Sequence, residues 1–73
     1  MIIAKDTVEV NGRRFLVSTA DTFDHGLETM VFNEGKWTDL YVDRYSTIDQ
    51  AFAGHNRAVK GLQDGTLPLY GQD

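Results

Sequence analysis

One stretch governs what this chain can become. Across residues 45–65, YSTIDQAFAGHNRAVKGLQDG, Ile48, Phe52, His55, Val59 and Leu62 fall at i, i+4, i+7, i+11 and i+14. That is the spacing of one helical face. Thr47 with Gln50 forms a T-x-x-Q capping box, and Ser46 with Asp49 is an equally legal start one residue earlier. Gly65 supplies the left-handed position that ends a helix. Asp49, Arg57, Lys60 and Asp64 fall on the opposite face, which suits water.

Two features of this helix stand out. Ala51, Gly54, Ala58 and Gly61 line its flank at i, i+3, i+7 and i+10. An interior glycine costs about 1 kcal/mol against alanine, so the flank implies that another backbone comes close. That backbone belongs either to the chain's own sheet or to a partner's helix in a dimer. His55 sits on the apolar stripe. It reads as a half-buried ring with one nitrogen hydrogen-bonded, with a ligand or catalytic role as the alternative.

The remaining residues must cover that stripe. With 73 residues the chain makes one domain, taken as 1–70, near the lower limit for a self-sufficient core. Residues 71–73 are expected to be a mobile tail. The absence of cysteine excludes a disulfide staple and a thiolate zinc site. A net charge of -4 argues against a nucleic-acid backbone as partner. No apolar run approaches the roughly 20 residues that span a bilayer, and Lys5 and Asp6 interrupt any secretory signal. The expectation is a cytoplasmic protein.

Residues 2–10 alternate as a strand does. Asn11-Gly12 then signals a two-residue type I′ hairpin turn, with residues 13–19 as the return strand. The turn sets Val10 opposite Arg13, Glu9 opposite Arg14 and Val8 opposite Phe15. Val8, Val10, Phe15 and Val17 then face the core, while Thr7, Glu9, Arg14, Leu16 and Ser18 face away. Residues 20–26, ADTFDHG, read as a loop. Asp21, Asp24 and His25 lie close together there, but a metal site needs three or four convergent ligands, so turn formation accounts for them.

Residues 27–32 and 37–45 form a second hairpin around Asn33-Glu34-Gly35-Lys36, with Phe32 opposite Trp37 for either a two- or a four-residue loop. One face then carries Leu27, Thr29, Val31, Thr38, Leu40 and Val42. The other carries Glu28, Met30, Phe32, Trp37, Asp39, Tyr41, Asp43 and Tyr45. Burying the second would trap three carboxylates without obvious partners, at several kcal/mol each. The aliphatic face is therefore expected to meet the helix, with Ile48, Phe52, Val59 and Leu62 completing the core. The aromatic–acidic face, Met30, Phe32, Trp37, Asp39, Tyr41, Asp43 and Tyr45, is left as the candidate interaction surface. In the tail, Leu67, Leu69 and Tyr70 either fold back onto an edge of the core or stay loose.

The segments E-T-M-V-F at 28–32, R-Y-S-T at 44–47, Q-A at 50–51 and G-H at 54–55 resemble a group of small uncharacterised proteins of tailed phages and prophages. Their pattern is an E-T-M-[IV]-F strand, a short polar hairpin, then R-Y-x-T-x-x-E-A-x-x-G-H and an amphipathic helix. The resemblance covers residues 28 to about 62, and Gln50 stands where the pattern has glutamate. That group has no assigned activity. The resemblance implies a phage or prophage origin and a shared packing role for Gly54 and His55.

These readings converge on an α+β fold: two hairpins making a four-stranded antiparallel sheet, with one C-terminal helix on one face. A three-stranded sheet with residues 2–4 unpaired or swapped to a second chain is the alternative. The expected function is that of a binding module. It would act through the aromatic–acidic face on a host or phage protein, as an inhibitor of a host protein for instance, or on a second copy as a homodimer. No cofactor, metal, nucleic acid or membrane is expected, and no enzymatic activity. The alternatives are a structural or virion-associated component, or a small enzyme using Asp24, His25 or His55.

Overall fold

The computed structural model describes residues 1–70. Strands β1 (Ile2–Val10), β2 (Arg13–Thr22), β3 (Gly26–Asn33) and β4 (Asp39–Tyr45) form one antiparallel sheet in that order, and α1 (Ile48–Asp64) packs across it. This is the expected α+β architecture. Ile2 pairs with Ala20, so the start of β1 is part of the sheet rather than loose or swapped. The expectation of a mobile tail at 71–73 lies outside the described residues.

The first hairpin has the expected register, Val10 to Arg13, Glu9 to Arg14 and Val8 to Phe15. Asn11 at φ 53° and Gly12 at φ 81° both take the left-handed conformation that a type I′ turn demands. Strand β2 runs further than expected, to Thr22, so the loop shrinks to a tight turn at 23–25. The Thr22 hydroxyl closes that turn, donating to the Gly26 carbonyl at 2.9 Å and accepting from His25 N at 3.1 Å.

The second hairpin departs from expectation. Phe32 lies opposite Asp39 rather than Trp37, and Val31 opposite Tyr41, so Leu40 is an extra residue bulged out of the β4 ladder. A bulge shifts register by one, and side chains alternate with period two, so every later residue of β4 changes face. Tyr41, Asp43 and Tyr45 pair with Val31, Thr29 and Leu27 on the helix side. Val42, expected in the core, pairs with Met30 on the opposite face. Leu40 stays buried, because the bulge turns it inward with Tyr41.

The helix begins and ends as its sequence directs. Thr47 Oγ1 accepts from Gln50 N at 3.1 Å, and Gln50 Oε1 reaches back to accept from Ser46 N at 3.0 Å. Gly65 closes it at φ 73°. The face it buries is different, however. Ala51, Gly54, His55, Ala58, Gly61 and Leu62 are buried, whereas Ile48 is 48% and Phe52 44% exposed. At about 100° per residue, the buried face is turned by roughly 80° from the stripe of large apolar residues. The reason is close approach. The Tyr45 ring lies directly beneath Gly54, where a Cβ would collide with it, and Leu67 Cβ would stand 3.0 Å from a Cβ at Gly61. The small-residue flank thus packs on the chain's own sheet at Gly54 and on its own tail at Gly61.

Val8, Phe15, Val17, Val31, Leu40, Ala58 and Leu62 form the core, with Val10, Tyr41, Val59, Leu67 and Leu69 packed around it. Leu27 is only partly buried. The tail folds back: Tyr70 N donates to Leu40 O at 2.8 Å, and the Tyr70 hydroxyl donates to Asp39 at 2.7 Å.

Candidate functional site

One helix covers one face of the sheet. The other face follows from the ladder. Leu16 sits beside Phe32, Ser18 beside Met30, Met30 beside Val42, and Ala20 beside Glu28, which is beside Arg44. Its centre is therefore apolar. A groove of about 370 Å³ runs over it, lined by Ile2, Leu16, Ala20, Met30 and Phe32, with Trp37 at its rim. Trp37 is 90% exposed and Ile2 58% exposed, large apolar groups that water would otherwise not be left to cover.

The charges on this face are mostly matched within the chain. Glu28, only 7% exposed, is held by Arg44 Nε at 3.3 Å, as a buried carboxylate requires. Arg14 pairs with Glu34 at 3.3 Å and lies opposite Glu9.

The seven residues expected on one surface are divided by the β4 bulge. Met30, Phe32 and Trp37 belong to the helix-free face, and Asp39 stands beside Phe32 at its rim. Tyr41, Asp43 and Tyr45 lie on the helix side instead. Tyr41 donates a long hydrogen bond to Asp43 at 3.4 Å. Burial, then the Asp43 charge, holds the Tyr41 hydroxyl above the usual tyrosine range. Burial does the same for Tyr45, with Thr29 opposing it. The Tyr45 hydroxyl is buried under Gly54 and makes no hydrogen bond of adequate geometry. Leu16 and Val42 complete the apolar centre in place of the two tyrosines. Leu16 was legible in the alternation of β2; Val42 was not, because nothing in the sequence marks the bulge.

The structure also gives His55 partners that spacing did not reveal. Its Nε2 lies 2.7 Å from Asp6 Oδ2 and its Nδ1 2.7 Å from Thr19 Oγ1, which is 2.5 Å from Thr29 Oγ1. Asp6 and Thr19 share the alternation of Val8 and Val17, the one signal that places them on the helix side. The order carboxylate, imidazole, hydroxyl is that of a nucleophile relay. Here Thr19 and Thr29 are fully buried and His55 is 2% exposed, so no substrate reaches the hydroxyl. The chain of hydrogen bonds satisfies polar groups beneath the helix. Asp24 and His25 lie on the exposed β2–β3 turn and do not join His55. Among the described residues no group of three or more His, Asp or Glu side chains converges to hold a metal ion. No helix among them is long and apolar enough to cross a membrane.

Among the described residues, fold and surface define a small α+β protein with a four-stranded meander and one helix, which packs on one face of the sheet. No known protein family matches the chain, and comparison with curated proteins and with solved structures likewise finds no match.

Proposed function

We propose that this chain is a protein-binding module whose contact surface is the helix-free face of its sheet. The observation that carries the proposal is the apolar centre of that face, Leu16, Met30, Phe32 and Val42, each only partly buried, with the helix on the other side and charges around it. An apolar centre with a polar rim is the anatomy of a contact surface. Met, Phe and Trp are the residue types such centres favour. The biological setting we propose is that of an accessory protein of phage or prophage type, acting by contact rather than by chemistry. A benzophenone side chain in place of Trp37 tests this in the producing cell. It should form an adduct with another polypeptide on irradiation, and the same group in place of Asp49, on the exposed side of α1, should not. Absence of any adduct from position 37 overturns the reading.

A further inference from the structure

We propose that the occupant of the helix-free face is a second copy of this chain, the two sheets meeting face to face with each Trp37 seated in the other copy's groove. This rests on the reading of that face as a contact surface. Three observations favour a second copy over a different partner.

The first is charge. The chain carries a net charge of -4, yet the cations of this face, Lys5, Arg14 and Arg44, come within one charge of balancing the anions Glu9, Glu28, Glu34 and Asp39. Most of the acid excess therefore lies elsewhere. Glu28 is already paired with Arg44, and Asp39 already accepts the Tyr70 hydroxyl. A basic partner would find few carboxylates left to read, whereas two nearly balanced faces meet with little net like-charge repulsion.

The second is shape. The groove of about 370 Å³ lies beside Trp37, which is 90% exposed and does not fill it. A pocket of that size takes one large aromatic anchor. In a two-fold arrangement the same patch is used by both copies, so each indole finds the other's groove and the contact closes at two.

The third is area. The molecule measures 32 × 22 × 18 Å, so any one face presents at most about 700 Å², and a second copy must use most of it. Two such faces meeting approach the roughly 1,200–2,000 Å² that stable complexes bury.

Sedimentation equilibrium of the purified chain, from about 1 μM to about 1 mM, reads the result directly. The expected mass rises from 8.2 kDa to twice that value. Trp37 is the sole tryptophan, so its emission should shift to the blue over the same range. Trp37→Ala should weaken association about 30-fold or more while leaving the melting temperature of the monomer unchanged, since the ring is exposed there. Met30→Lys, which puts a charge at the centre of the face, should abolish association. If Met30→Lys fails to fold, Trp37→Ala still decides. A chain that stays at 8.2 kDa at about 1 mM overturns the second-copy inference. An adduct between position 37 and a different polypeptide would then leave the contact face standing. No adduct of either kind removes both. A dimer that survives Trp37→Ala unchanged puts the interface elsewhere and also overturns the proposal.

Discussion

His55 satisfies its neighbours in a single order while neutral. Nε2–H donates to Asp6, Nδ1 accepts from the Thr19 hydroxyl, and Thr19 in turn accepts from Thr29. Removing the ring leaves the fully buried Thr19 hydroxyl without its acceptor and opens a cavity. His55→Ala should therefore lower stability by roughly 3 kcal/mol in urea unfolding. Loss of less than about 1 kcal/mol would show that water replaces the ring. Tyr45 presents the opposite case. Its hydroxyl is buried and makes no good bond, so Tyr45→Phe should be neutral or stabilising by up to about 1 kcal/mol. Tyr41 and Tyr45 also set an alkaline limit. Their folded pKa values are raised, so the native state keeps its protons to higher pH than the unfolded chain does. Their contribution is whole below about pH 10 and is lost as pH climbs through the raised values. Thermal melts should show this decline above about pH 10, lessened in Tyr45→Phe. Gly54→Ala has no room at all and should unfold the protein unless the Tyr45 ring is removed as well.

At the level of elements, what could be read depended on what set each one. Asn11-Gly12 fixes the first hairpin by backbone conformation alone, so its register was legible. Thr47, Gln50 and Gly65 mark the helix ends for the same local reason. The facing of the helix was not legible. A stripe is counted from large apolar residues, while this helix is placed by small ones that let it sit down on Tyr45 and Leu67. Phe52 and Ile48 consequently flank the contact instead of filling it. Phe52→Ala should cost only about 1–2 kcal/mol, because at 44% exposure the ring is little more than half buried. Leu62→Ala, at 5% exposure, should cost about 2–5 kcal/mol. Chemical denaturation of the two variants side by side checks the rotation. The bulge at Leu40 was illegible for a further reason: one added residue in a strand leaves no trace in composition or turn chemistry. It divided the expected interaction surface, keeping Met30, Phe32 and Trp37 and turning Tyr41, Asp43 and Tyr45 inward.

For the whole molecule, both irregularities of the sheet lie on its outermost strands. In β1 the register slips between Ile2 and Ala4, and in β4 at Leu40, while the ladder between β2 and β3 is regular throughout. Lys5, Asp6 and Glu9 add charge to β1, and the Leu40 carbonyl is taken up by Tyr70 N. Bulges, charges and a folded-back tail are what deny a bordering strand to a newcomer. A sheet with one face free of helix and open borders is prone to stack into filaments through those borders. These two borders are poor templates for it, so concentrated solutions should remain clear and bind no thioflavin T. Stickiness and fibre formation are thereby separated: the flat of the sheet is left free to meet a neighbour, and its margins are not.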